Sequence, residues 1–445
     1  MLDLSVPNFQ VFSISTPDDS ALEAFKTKAI HWLQDFEQFC CLDSNAQQQD
    51  PYHQYDLMLG AGCLDALICR AGEEAIQQLT HFQNQNSGAF LFGYLGYDLK
   101  NEVEQLSSGH PDPLGFPDLC FFIPEHRIEI RQHTIRIASA TRSPQSIYQE
   151  IQNLVVKPKG KKLDVALQPR ISRETYLSTV QAIRKEISLG NIYEMNFCQE
   201  FYNPAAALDP FEVYLLLREA TQAPFGAFFR WHDHFALCAS PERFLAKRGP
   251  KLISQPIKGT IRRGNDPLED LALRNELFQS PKNRAENVMI VDLVRNDLAR
   301  SCQPGTVVVE ELFGIYGFRT VFQMISTVSG ILQDNISAIQ AIQYAFPMGS
   351  MTGAPKIRSM QLIEKLEQCR RGLYSGAIGY FAPNGDFDFN VVIRSLLYNQ
   401  ASSYLSLQVG GAIVFDSDPE AEYAECLLKA ERIMGVLSGE DEMGE

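Results

Sequence analysis

The residues able to do chemistry cluster in the second half of this 445-residue chain, and their types restrict what that half can do. All eight histidines lie at or before His234, so the final 211 residues hold none. A histidine-based zinc site or a Ser-His-Asp triad there would have to borrow its histidine from the first half. Lysine, arginine, carboxylates, hydroxyls and backbone remain. In QPIKGT (255–260), Lys258 stands between Ile257 and Gly259, with Pro256 and Gly259 constraining the backbone. Apolar and small neighbours strip water from an ammonium, lowering its pKa and freeing the amine as a nucleophile or base. The alternative is a lysine snorkelling to solvent.

The segment 417–437 reads as a helix, with Ser417 or Asp418 as cap, Pro419 first, and Glu420 and Glu422 at the positive end of the macrodipole. Glu422, Glu425 and Lys429 fall on one face, where they could hold a hard cation beside a substrate carboxylate, or form a solvated face with ion pairs along the helix. A second helix, 281–300, contributes Glu286, Asp292 and Asp297, with Glu286 at the edge of an apolar run. One carboxylate from each of two helices, completed by waters and substrate oxygens, is the usual way Mg²⁺ is held. MGSMTGAPK (348–356) is either a backbone cradle for an anion ahead of Lys356 or a plain turn into the next helix. Arg394 offers a fork for a carboxylate or a cross-strand partner for Asp388. Together these groups suit a small, carboxylate-bearing substrate held by Arg394, Lys429 and Mg²⁺, with Lys258 as nucleophile.

The elements that must position them follow from patterning. RETYLSTVQAIRKEISLG (173–190) sets Tyr176, Val180, Ile183 and Ile187 on one helical face, with Gly190 just past the end. DFDFNVVIRSLLY (386–398) alternates as a strand, and NQAS (399–402) reads as a hairpin loop into the strand SYLSLQVGGAIVF (403–415). This order favours α+β with antiparallel sheet, and neither GxGxxG opening a helix nor GxxxxGK[ST] is present. The best boundary is 141–172, which carries TRSPQS and then KPKGKK (157–162), expected as a solvated loop. With 39 Lys+Arg against 54 Asp+Glu, the net charge of −15 argues against nucleic acid and acidic membranes. No run approaches twenty apolar residues, and the first residues show no signal-peptide pattern. The ten cysteines are scattered without a CxxC pair, as expected of free thiols in a reducing cytoplasm.

The ordered motifs GNIYEMNF (190–197), SPERF (240–244), PIKGT (256–260), AENVMIVDLVRNDLAR (285–300), FPMGSMTGAPK (346–356), RGLYSGAIGYF (371–381), FNVVIRS (389–395) and GGAIVFDSDPEAEYAE (410–425) resemble the chorismate-utilising enzymes. That family includes anthranilate, aminodeoxychorismate, isochorismate and salicylate synthases. FGYLGYDL (92–99) resembles it more loosely, and CLDS (41–44) falls where anthranilate synthases carry part of a tryptophan-feedback pocket. The resemblance implies an α+β body of two large packed antiparallel sheets flanked by helices. It divides the chain into an N-terminal region (1–155), a chorismate-binding catalytic region (165–437) and an acidic tail (438–445).

Within the family, PIKGT is similar to the aminodeoxychorismate synthases, whereas anthranilate synthases usually read PIAGT. The implied reaction has the lysine amine attack C2 of chorismate while the C4 hydroxyl leaves with Mg²⁺ assistance. Ammonia, delivered by a glutamine amidotransferase partner, then adds at C4 and expels the lysine. The resemblance implies Lys258, Glu286 and Gln323 as catalytic. It implies Glu286, Glu422 and Glu425 as Mg²⁺ ligands. It assigns substrate contacts to Gly259, Thr260, Ser350, Tyr374, Arg394, Gly410, Gly411, Ala412 and Lys429. Glu194 departs from the glutamine of nitrogen-using members and from the lysine of isochorismate and salicylate synthases. Gln323 replaces a common histidine, Asn283 a usual acid and Ala412 a common glycine. Anthranilate synthase component I and a catalytically silent chorismate-binding subunit are the alternatives.

Overall fold

The computed structural model describes residues 9–16, 18–45, 50–156, 163–319 and 321–439. The expected solvated loop at 157–162 and residues 440–445 of the acidic tail lie outside this set. The described residues form eleven α-helices and two sheets of twelve and ten strands, with every strand pair antiparallel. This is the α+β architecture the patterning implies.

The twelve-stranded sheet runs from Gln10–Ser15 through Thr134–Ser139, His126–Arg131, Leu57–Ala61 and Gln38–Asp43 to Phe225–Trp231. It continues through His234–Ser240, Ser395–Asn399, Tyr404–Ile413 and Glu194–Asn203 to Gly353–Ala354, with Gln168–Pro169 also pairing on Glu194–Asn203. The ten-stranded sheet begins at Ile257–Arg262 and ends at Asp65–Cys69. One core lies between the sheets and includes Tyr94, Phe121, Phe122, Phe229 and Phe389. Strands Leu91–Leu95 and Leu119–Ile123 are buried along their whole length, which is why they read as unbroken apolar runs rather than alternating ones. A second core, with Phe25, Ile147, Tyr176, Leu217 and Ile433, packs helices on the other face of the twelve-stranded sheet.

Two of those helices form as their caps require. In Arg173–Ser188 the Ser172 side chain accepts from Thr175 N, Tyr176, Val180 and Ile183 are buried, and Gly190 takes φ +75° just beyond the end. In Pro419–Ser438 the cap is Asp418, which accepts from Ala421 N at 3.0 Å. Ser417 instead donates to the Glu422 carboxylate at 2.7 Å.

The run 386–398 is not one strand. Phe387–Asn390 belongs to the ten-stranded sheet and Ser395–Asn399 to the twelve-stranded sheet. Between them Ile393 N donates to Val391 O at 2.9 Å and Arg394 adopts φ +53°, turning the chain from one sheet to the other. The expected hairpin survives in its second half, where Leu396–Asn399 pairs with Tyr404–Leu407. The 141–172 stretch is also not simply linker, since Pro144–Asn153 is a helix that buries Ile147 and Ile151. Both sheets pass through that boundary: Gln38–Asp43 pairs with Phe225–Trp231, and Leu91–Leu95 with Ala377–Phe381.

Candidate active site

The site residues gather where the two sheets face each other near their ends, close to two of the points at which the chain crosses between sheets, 240–243 and 390–395. At the first crossing, Glu242 follows Ser240, and its carbonyl accepts from Val391 N of the second crossing at 3.0 Å. A buried ion pair fixes the surroundings. Arg371 donates to both Glu367 oxygens at 2.9 and 2.7 Å, to Met351 O at 2.6 Å and to Asn196 O at 3.1 Å. Glu367 accepts from Cys198 N at 2.9 Å. The turn Gly349–Met351 and the strand Glu194–Asn203 are thereby held in one frame, to which Asn196 Nδ2 adds a 2.9 Å bond to Ser350 O.

Lys258 lies on the first strand of the ten-stranded sheet and is 9% exposed. Its Nζ donates at 2.8 Å to Oε1 of Glu194, which is 1% exposed and belongs to the twelve-stranded sheet. The ion pair therefore bridges the sheets. Burial works against the Lys258 ammonium, but Glu194, Glu286 and Glu242 outweigh it and raise the pKa above the ordinary lysine value. This corrects the expectation of a depressed pKa: the apolar neighbours in sequence are not its neighbours in space, and the resting side chain is charged. Glu242 is buried against Lys258 and Ser350, and loss of solvation pushes its carboxyl up to about 7. The second oxygen of Glu194 and Oε1 of Gln323 are buried without a hydrogen-bond partner.

Next to Lys258, Gly259 has φ +89°, and a Cβ there would sit 2.9 Å from Asn283 Cγ, so both conformation and space demand glycine. Thr260 is exposed and stands opposite Gln323 in the strand register.

The helices Pro281–Ala299 and Pro419–Ser438 bring the acidic groups together as expected. Glu286 and Glu422 both face Lys282, whose Nζ lies 3.9 and 3.6 Å from their Oε1 atoms. Glu425 accepts from Lys429 Nζ at 2.7 Å, and Lys429 also donates to Gly410 O at 3.0 Å. A Cβ on Gly410 would lie 2.2 Å from Phe197 O, whereas one on Gly411 would reach Lys429 Nζ at 3.4 Å and Glu422 Oε2 at 3.5 Å. Gly411 therefore leaves open ground in front of those groups, and Ala412 follows it, opposite Asn196. Arg394 donates to Lys429 O at 3.4 Å, with Tyr374 and Glu425 in electrostatic reach. The Tyr374 hydroxyl lies 3.5 Å from Cys198 Sγ.

Burial raises Glu286, with Lys258 and Lys282 opposing the rise, and its Oε1 is buried without a hydrogen bond. No group of three or more His, Cys, Asp or Glu side chains among the described residues could hold a metal alone. The donors nonetheless suit Mg²⁺, which takes one or two protein carboxylates and fills its shell with water and substrate oxygens. Glu286, Glu425 and Glu422 are the residues that could hold it.

The chorismate binding enzyme family model matches residues 37–435, spanning every site residue above and both sheets except the edge strand Gln10–Ser15. The chain belongs to the chorismate binding enzyme family. Within this family, it is 39% identical over 361 residues to "Aminodeoxychorismate synthase, chloroplastic" of Arabidopsis thaliana, covering 76% of this chain and 39% of that protein. It is 37% identical to "Aminodeoxychorismate synthase component 1" of Klebsiella aerogenes, covering 78% of this chain and 76% of that one. Anthranilate synthase component I from Streptococcus pneumoniae TIGR4 superposes with a TM-score of 0.73 at 25% identity, covering 87% of this chain and 94% of that one.

Other singled-out residues of this family member have structural partners. Lys356, which follows the 348–356 turn, donates its Nζ to Asp297 at 2.8 Å and to Ala345 O at 3.1 Å. Asp292 is exposed and pairs with Arg295 at 2.6 Å, and Asp388 pairs with Arg243 rather than with Arg394. Leu42, Asp43 and Ser44 of CLDS line a separate, solvent-open pocket with Tyr55, Phe225 and Asp388. Two site residues escaped the sequence reading. Glu242 was visible only as part of SPERF, and Lys282 only as a charge beside Pro281. The signal for Glu242 was an acid after Pro241, between the apolar runs FALCA (235–239) and FLA (244–246).

Proposed function

We propose that this chain is the synthase component of an aminodeoxychorismate synthase. It would convert chorismate and ammonia to 4-amino-4-deoxychorismate and water, with ammonia released by a glutamine amidotransferase partner. The carrying observation is Lys258, a buried lysine flanked by Glu194 and Glu242, two carboxylates able to take and return its proton. The names of the relatives support the same reading.

Arg394 and Lys429 pair with the substrate carboxylates over the side-chain-free ground of Gly259 and Gly411. Lys258 gives a proton to Glu194, and the free amine forms a bond to C2 as the ring double bond shifts and the C4–O bond breaks. Glu242, whose carboxyl burial raises to about 7, supplies the proton with which the hydroxyl leaves as water. Ammonia then bonds to C4, the C2–N bond breaks, and the lysine amine is restored. Glu286 and Glu425, with Glu422 beside them, would hold Mg²⁺, which when bound would supply charge neutralisation for an anionic substrate. Gln323 lacks an imidazole to drive loss of pyruvate, in keeping with a product that retains its pyruvyl ether. Ten free thiols, nine of them buried, suit a reducing cytoplasm.

The test is product identity. The chain with chorismate, Mg²⁺ and ammonium at mildly alkaline pH should yield p-aminobenzoate only when an aminodeoxychorismate lyase is added. Lys258→Ala should lower that yield by about 10²–10⁴-fold. Anthranilate formed without the lyase would assign the chain to the anthranilate synthases, and absence of any product would indicate a silent subunit or a strict need for the partner.

A further inference from the structure

We infer that Lys282 is a tethered stand-in for the divalent cation, seated among Glu286, Glu422 and Glu425 and displaced when Mg²⁺ binds there. This rests on the assignment of those carboxylates to Mg²⁺. Three ammonium groups serve the site, and they are held differently. Lys258 is fixed by a 2.8 Å bond to Glu194, and Lys429 by bonds of 2.7 and 3.0 Å to Glu425 and Gly410 O. Lys282 approaches its carboxylates only to 3.6 and 3.9 Å, and its side chain is 56% exposed. It is the one of the three with both loose contacts and a path to solvent.

The position of Lys282 in its helix points the same way. It is the second residue of Pro281–Ala299, where the positive end of the macrodipole disfavours an ammonium. The helix does not hold the charge there; the facing carboxylates do. Burial opposes the charge, yet Glu422, Glu286 and Glu425 raise the Lys282 pKa above its ordinary value. Without Lys282, the three carboxylates would be left with Lys258, already bonded to Glu194, and Lys429 as near counter-ions. A divalent cation relieves the same repulsion more strongly, and a flexible four-carbon stem lets the ammonium leave.

The test compares the full wild-type chain with Lys282→Met and Lys282→Arg, titrating Mg²⁺ calorimetrically without chorismate and measuring melting temperature with and without Mg²⁺. Lys282→Met should bind Mg²⁺ about five- to tenfold tighter, as expected from removing one competing charge about 4 Å away in a half-exposed setting. Its Mg²⁺-free form should melt lower than wild type and gain more on adding Mg²⁺. Lys282→Arg should behave as wild type. Equal or weaker Mg²⁺ binding by Lys282→Met overturns the inference while leaving the metal assignment intact. If Glu286→Gln and Glu425→Gln bind Mg²⁺ as wild type does, or no chain binds it, the metal assignment falls and the inference with it.

Discussion

Glu194 is the side chain on which the protonation of Lys258 most directly depends, because it supplies both the short bond and the nearest negative charge. Replacing it with glutamine keeps the shape and removes the charge. Burial would then act on Lys258 against weaker opposition from Glu242 and Glu286, so the lysine pKa falls. The free amine becomes available at lower pH, and the acid limb of the kcat/KM profile for chorismate should move downward in Glu194→Gln, measured at constant free ammonia. Glu194→Asp should keep the limb near its wild-type place. A limb that stays put in Glu194→Gln would show that Glu194 does not set the charge of the lysine. Lys258 itself was legible in the sequence, because Pro256 and Gly259 isolate it. Its charged company was not, since Glu194 lies 64 residues away and meets it only across the gap between sheets. Local composition therefore gave the wrong sign for the pKa.

At the scale of elements, the site depends on a frame that none of the reacting groups belongs to. Arg371 and Glu367 are at most 2% exposed as side chains and tie a helix end, the Gly349–Met351 turn and the Glu194–Asn203 strand together. Arg371→Met leaves Glu367 buried without its partner, which costs about 3–5 kcal/mol. It should appear as a lower urea midpoint, with a rise in KM for chorismate because Ser350 and Glu194 lose their common anchor. An unchanged midpoint would mean that solvent or a neighbour compensates the carboxylate. Elements with strong local punctuation were legible: Gly190 just past one helix, and Ser417 or Asp418 followed by Pro419 at the start of another, mark helices whatever packs on them. The crossing at Val391–Arg394 was not, because Val391, Val392 and Ile393 are strand formers and alternation runs on through the switch between sheets. The backbone turn at Arg394 is imposed by tertiary structure against that local preference. The partner of Lys356 was equally hidden, since Asp297 comes from another helix.

Across the whole molecule, the site sits in a body whose two sheets are each shared between the first 155 residues and the rest. The strands of the two parts meet at Gln38–Asp43 with Phe225–Trp231, and at Leu91–Leu95 with Ala377–Phe381. The core between the sheets mixes Phe92, Tyr94 and Phe122 from the first part with Phe229, Ala236 and Phe389 from the second. A fragment beginning at residue 165 keeps all the site residues but exposes two long inner strands as unpaired edges and strips one side of that core. Such edges template pairing with other chains. The fragment 165–445 expressed alone should therefore aggregate or bind a hydrophobic dye strongly. Co-expression with 1–155 should recover a soluble complex with the far-ultraviolet spectrum of the intact chain. A monomeric 165–445 fragment with a cooperative melt would show that the shared strands are dispensable and that the second part folds by itself. The two pairings make that outcome costly: each is five or six residues long, and both would have to be left open at once.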